Sequence, residues 1–120
     1  MEFDALSSRI ISSALKVHKE LGPGFLESIY HNALLFQLRV DGMRADSEKE
    51  ICVSYAGTEV GLHRLDLVVD NTIVVELKAA QDFQDSHMAQ VISYLKAFHL
   101  KTGLLLNFGR SKLGIKRVVL

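Results

Sequence analysis

The 120-residue sequence has one cysteine and one proline. A lone thiol, Cys52, can neither close an intrachain disulfide nor supply a cysteine-based zinc cluster, so a disulfide scaffold and a zinc finger are excluded. Excess charge of either sign is missing too: 14 Lys and Arg balance 14 Asp and Glu, which argues against a protein that coats nucleic acid through bulk charge. No apolar run approaches the roughly 18 residues of a membrane span. The start, Met1-Glu2-Phe3-Asp4, is acidic where a signal peptide would be basic, so a cytoplasmic location without a membrane partner is expected. What the chain does have is 48% hydrophobic residues. At this length such a chain buries about two-thirds of its unfolded surface and reads as one domain over residues 1–120. Its charge is unevenly spread: residues 101–120 hold Lys101, Arg110, Lys112, Lys116 and Arg117 and no acid, so a local basic strip is open to consideration beside a plain solvated tail.

Apolar residues at Leu6, Ile10, Ala14, Val17 and Leu21 keep helical spacing, with Asp4 available as an N-cap. Gly22-Pro23-Gly24 ends that helix, because glycine relieves a left-handed cap and proline forbids continuation. A second helix begins near Phe25, with its stripe expected at Leu26, Ile29, Ala33, Phe36 and Val40, and ends at Asp41-Gly42. From Glu50 the period becomes two through Ile51, Val53 and Tyr55, Ala56-Gly57 turns the chain, and a second extended run reaches Val69. Asp70-Asn71 signals a hairpin into Ile73 to Lys78. Helical spacing returns over 84–100 through Met88, Val91, Leu95 and Phe98, followed by a buried strand at Leu104 to Phe108 and an extended segment at Ile115 to Leu120. The order α-α-β-β-β-α-β, with a candidate last strand, describes an α/β (α+β) domain in which helices cover a mixed sheet.

Charged residues interrupt two of these apolar strands: Asp66 within Leu65 to Val69, and Glu76 and Lys78 within Val74 to Lys78. A buried carboxylate without a partner costs several kcal/mol, so these residues need partners, solvent or a cation. Glu76 and Lys78 are two apart and share a face. A two-residue turn at Asp70-Asn71 would put Asp66 and Glu76 on opposite faces, whereas a three-residue loop through Thr72 would set them directly across from one another. Two clustered carboxylates repel, and a divalent cation relieves that repulsion while activating water for attack on phosphorus, with the lysine steadying developing charge. A strand-end salt bridge, Asp66 with Lys78 for instance, explains the spacing equally well. Glu27, three residues past Gly24, sits where a helix macrodipole favours an acid, either as simple stabilisation or as one more ligand. Gln90 and Tyr94 are i and i+4, and His87 shares their side, so a polar stripe either faces solvent or points to the carboxylates and holds a phosphate or a water. His18, His31, His63 and His99 show no zinc-ligand spacing and read as surface or core residues.

Asp66 followed by Glu76-Leu77-Lys78 resembles the PD-(D/E)xK nuclease signature. Gly24-Phe25-Leu26-Glu27-Ser28-Ile29-Tyr30 is similar to the motif that names the GxxExxY proteins, a branch of that superfamily. The likeness extends through Val17 to Gly24, Val75 to Ala79, Gln90 to Tyr94 and Leu105 to Gly109, nearly the whole chain from about Ile10; Leu65 stands where a proline often precedes the aspartate. The resemblance implies a restriction-endonuclease-like core, Glu27, Asp66 and Glu76 as ligands for Mg²⁺ or Mn²⁺, and Lys78 as the catalytic lysine. It also places Gln90 and Tyr94 at the Q-x-x-x-Y helix motif of RecB-like nucleases. On these grounds the chain is expected to be a metal-dependent phosphodiesterase acting on nucleic acid, DNA ahead of RNA. The alternative is a noncatalytic module that binds nucleic acid or protein. Substrate contacts are expected from Gln90, Tyr94, His87, Lys112, Lys116 and Arg117, and a homodimer or other partner could add further contacts.

Overall fold

A computed structural model describes residues 2–120, with side chains from Ala5 onward. The elements follow the expected order and include the last strand: α1 (Glu2–Leu21), α2 (Glu27–Val40), β1 (Ala45–Tyr55), β2 (Thr58–Val69), β3 (Ile73–Lys78), α3 (Asp85–Phe98), β4 (Thr102–Asn107) and β5 (Gly114–Val119). The five strands lie in sequence order in one sheet. Only β3 and β4 run parallel, because α3 carries the chain back between them; the other neighbours are antiparallel. The result is the mixed α+β arrangement of a restriction-endonuclease-like core. Among the described residues no helix is long and apolar enough to cross a membrane.

Two hydrophobic layers flank the sheet. On one side Ile10 and Ala14 of α1 and Tyr30, Leu34 and Leu38 of α2 pack on Leu67, Val69, Val75, Leu77, Leu104 and Leu106. On the other, Val91, Tyr94 and Leu95 of α3 pack on Leu65, Val68, Val74, Leu105 and Val118. Gly103 allows α3 to come so close, since a Cβ there would stand 2.6 Å from Val91 Cγ1.

Three sequence expectations change. The side chain of Asp4, expected to cap α1, lies outside the described residues, and the helix already starts at Glu2. Strand β1 begins at Ala45 instead of Glu50. Its first turn of sequence, Asp46-Ser47-Glu48-Lys49, is polar and shows no alternation, but edge pairing with β2 needs only backbone groups. The α2 stripe is turned. Leu26, Phe36 and Val40 are 72%, 68% and 62% exposed, while Tyr30, Leu34 and Leu38 are buried. Helix α2 is apolar in two phases, and the phase that seats Tyr30 in the core wins.

Where α2 ends, Asp41 clasps it to α1. Its carboxylate accepts from Ser13 Oγ at 2.6 Å, Lys16 Nζ at 3.1 Å and Gln37 Nε2 at 3.1 Å, and its carbonyl accepts from Arg9 Nη2 at 2.8 Å. The Ser13 and Gln37 hydrogen bonds, with help from Lys16, hold this carboxyl down at about 2. A depressed acid stabilises the fold fully above its unfolded value of about 3.9 and loses that contribution as pH falls through the folded value. Asp41→Asn is therefore expected to lower the denaturation midpoint at pH 7, and the gap to wild type should close between pH 4 and pH 2 in a series of urea titrations.

Candidate active site at the β2–β3 junction

The loop joining β2 to β3 sets the register. Asp70 and Asn71 both take positive φ, 51° and 52°, and Thr72 N donates to Val69 O at 2.9 Å. Val69 thus pairs with Ile73, Val68 with Val74 and Leu67 with Val75. The next pair in this register is Asp66 with Glu76, so the three-residue loop places both carboxylates together at the end of the ladder. Here Asp66 Oδ2 accepts the Leu77 N–H at 3.0 Å. Glu76 is 3% exposed. Burial, the hydrogen bond with Asp66 and the Asp66 charge together push the Glu76 carboxyl up to about 9, against the pull of Lys78. Ionising both carboxyls at once is therefore disfavoured.

Helix α3 roofs this pair. Lys78 Nζ donates to Gln90 Oε1 at 3.2 Å, and Gln90 Nε2 donates to the Tyr94 hydroxyl at 2.8 Å. Tyr94 is pushed up to about 12 by burial and by the Glu76 and Asp66 charges. The i, i+4 spacing of Gln90 and Tyr94 thus bridges Lys78 to Glu76. No ion pair between Lys78 and either carboxylate forms among the described residues, so the strand-end salt bridge is not made.

Glu27 enters from the first turn of α2. Burial raises its carboxyl, with Lys78 opposing and Asp66 reinforcing, which ties it electrostatically to the same cluster. The rotation that buries Tyr30 and Leu34 also turns Glu27, three and seven residues earlier, to the same side. Tyr30 fixes that rotation. Its hydroxyl donates to Gly22 O and accepts from Phe25 N at 3.1 Å, and its ring stacks on Phe108 at 4.8 Å. Gly24 takes φ 113°, a conformation only glycine adopts freely, and completes the bend that leads into Glu27. The tyrosine and the glycine of Gly24 to Tyr30 therefore build the support, and the glutamate is the part supported.

Several contributors escape the sequence patterns. Asn107 pins the chain after Lys78: Oδ1 accepts from Ala80 N and Gly109 N, both at 3.0 Å, and Nδ2 donates to Ala80 O at 2.8 Å. Glu48 lies opposite Asp66 in the β1–β2 register, in a left-handed conformation at φ 53°. With Glu27, Ser28, His31, Asn32 and Asp66 it lines a cleft of about 280 Å³. The nearest signal was the acidic run about Glu48, hidden because polar residues on an edge strand look like a loop.

Other candidates stand elsewhere. His87 Nδ1 accepts from Gln84 N at 3.1 Å and closes the capping box of α3, so it is occupied as a cap. Lys112 is exposed in the loop before β5. Lys116 and Arg117 are consecutive on β5, the edge strand remote from β1, and so face opposite sides; Arg117 Nε donates to Ser7 Oγ at 3.3 Å. Lys116 is level with Glu76 across Leu105, but α3 packs over Leu105 between them. These three cations do not form one strip beside Asp66 and Glu76.

Among the described residues no three His, Cys, Asp or Glu side chains are already gathered as a metal cluster. What is gathered is a pair of carboxyls whose ionisation is opposed first by burial of Glu76 and then by their closeness to one another. That donor set suits Mg²⁺, a hard cation that binds through one or two carboxylates and keeps several waters.

The family model described as the PD-(D/E)XK nuclease superfamily matches residues 4–118. No curated protein matches the chain. Among solved structures, the crystal structure of SSO0001 is similar in fold, with a TM-score of 0.64 and 22% identity over 77% of this chain and 48% of that one. The chain thus spans about half the length of that protein.

Tyr30→Phe isolates the support, because it keeps the ring stack and removes only the two hydroxyl contacts. It is expected to cost about 1 kcal/mol in stability by denaturant titration, the usual scale for a lost hydrogen bond.

Proposed function

The chain belongs to the PD-(D/E)XK nuclease superfamily, and from that premise we propose that it is a divalent-metal-dependent nuclease of the GxxExxY branch, hydrolysing phosphodiester bonds of nucleic acid, DNA ahead of RNA. The observation that carries this reading is the side-by-side placement of Asp66 and the buried Glu76, beside a lysine that hydrogen-bonds Gln90 and, among the described residues, forms no ion pair with either. A buried carboxyl held above its ordinary range weakens the fold at neutral pH, and such perturbed groups concentrate at functional sites. A structural salt bridge would have placed the Lys78 ammonium on a carboxylate instead of on Gln90.

Asp66 and Glu76 would hold the cation, with Glu27 completing the acidic side. When bound, Mg²⁺ or Mn²⁺ supplies Lewis-acid polarisation of a phosphoryl oxygen and a lowered pKa for water. Glu76 would bind as the carboxylate, the form that burial and its partner Asp66 disfavour in the metal-free protein. Lys78, held by Gln90 Oε1, directs an ammonium proton toward the reacting phosphate and stabilises the charge that grows on its oxygens. Gln90 and Tyr94 keep the Lys78 head from collapsing onto Glu76.

Calorimetric titration with Mg²⁺ in two buffers of different ionisation enthalpy, at pH 7, is expected to show close to one proton released per cation bound. Asp66→Asn should abolish that heat while leaving the metal-free melting temperature unchanged or raised, since an amide can still accept from Leu77 N–H and from Glu76 and removes the charge that opposes Glu76 ionisation. Lys78→Ala should bind the cation and lose about 10²–10³-fold in turnover, the scale of a missing transition-state donor. Cleavage would be assayed on single-stranded, duplex, flapped and branched DNA and on RNA. No metal heat in wild type, together with destabilised metal-free Asp66→Asn, would contradict the nuclease reading and favour a noncatalytic module.

A further inference from the structure

A second and larger cleft, about 560 Å³, lies between the outer part of the β1–β2 ribbon and the exposed side of α3. We propose that it is a nucleotide subsite that accepts an unpaired base of a nucleic-acid strand running into the Asp66–Glu76 site. The proposal rests on the nuclease reading and adds to it the class of substrate, a strand whose bases are not stacked in a duplex.

Three observations support it. First, charge divides the two clefts. The smaller holds Glu27, Glu48 and Asp66, whereas the larger has no acid in its lining and carries Lys96, with His63 and His99. A polyanion is repelled from one and attracted to the other, which sets the side from which a strand leaves the metal-binding acids. Lys96 is exposed and forms no ion pair among the described residues, so its ammonium is available for a phosphate.

Second, a chain of side-chain contacts links the larger cleft to the strand acids. His63, three residues before Asp66 on β2, packs its ring edge-on against Tyr94 at 4.5 Å and 73°, and Tyr94 in turn abuts Glu76. The ring is held there, since His63 Nε2 bonds Ser93 Oγ at 3.1 Å and Ser93 Oγ donates to Gln90 O at 2.7 Å. A positioned, half-buried aromatic ring at the edge of a basic cleft is what a base stacks upon, and stacking tolerates any sequence. Third, the remaining walls are of mixed character, with Val53 and Ser54 of β1 opposite Ser93. The volume lies within the range of ligand sites. A base can enter such a cleft only when it is free of a duplex stack.

The test is fluorescence anisotropy with a fluorescein-labelled 12-nucleotide DNA strand, the RNA of the same sequence and the DNA duplex, in Mg²⁺, on a Lys78→Ala background so that the probe is not cut. Both single strands, or the one whose sugar is preferred, should bind at least tenfold more tightly than the duplex. Lys96→Glu and His63→Ala should each weaken single-strand binding about tenfold, the effect of losing a phosphate contact or a stacked base. His63→Phe, which keeps a stacking ring but not the bond to Ser93, should recover most of the loss, a rescue that a role through the imidazole hydrogen bond would not give. Mg²⁺ affinity and melting temperature, measured on the same variants, should stay near those of the parent. Unchanged single-strand affinity in Lys96→Glu and His63→Ala, or preference for the duplex, would overturn the subsite while leaving the nuclease reading intact. Failure of the Lys78→Ala protein to bind any of the three probes, with no cleavage by wild type, would overturn both.

Discussion

One register holds the rest in place. Val69 pairs with Ile73 across a three-residue loop, and from that pairing Asp66 falls beside Glu76. A slip of one residue would send Asp66 to the opposite face and bury nothing useful in its place. The loop secures this in two ways: the left-handed Asp70 and Asn71 make the turn, and Asp70 is tied to Arg44, its N–H donating to Arg44 O at 2.7 Å and its Oδ1 accepting Arg44 N at 2.8 Å. The start of β1 therefore braces the turn that aligns the acids.

The helices complete the alignment from both faces. Tyr30 anchors α2 through Phe108 and Gly22, and that anchor fixes which side of α2 meets the sheet and hence where Glu27 stands. On the opposite face, Gly103 lets α3 settle low enough for Gln90 and Tyr94 to reach Lys78 and Glu76. The buried Glu76 carboxyl costs the fold stability, and perturbed carboxyls of this kind concentrate at functional sites.

Much of this was legible in the sequence, and what was not has physical causes. Element order follows from period changes at Gly22-Pro23-Gly24, Asp41-Gly42 and Asp70-Asn71, and the i, i+4 pair Gln90 and Tyr94 does reach the strand acids. Spacing alone left two registers for Asp66 and Glu76, because turn length depends on backbone angles at Asp70 and Asn71 that many sequences permit. The phase of α2 was misread because Leu26, Ile29, Phe36 and Val40 are as apolar as Tyr30, Leu34 and Leu38, and only the stack on Phe108, nearly 80 residues away in sequence, chooses between them. His87 looked like a site residue by its spacing, but the first turn of α3 has backbone groups to satisfy, and they claimed it. Lys116 and Arg117 illustrate the same limit: neighbours in a charge run, they are separated by the alternation of a strand.

We propose that Asp66 and Glu76 jointly hold a divalent cation in place of the hydrogen bond between them. Crystals soaked in Mn²⁺ and measured for anomalous scattering decide it. The expected result is a peak touching both carboxylates, close to the roughly 2.0–2.1 Å at which Mg²⁺ binds oxygen, with Lys78 still on Gln90. A map with no peak there, the two carboxyl groups still hydrogen-bonded to each other in saturating Mn²⁺, would contradict it.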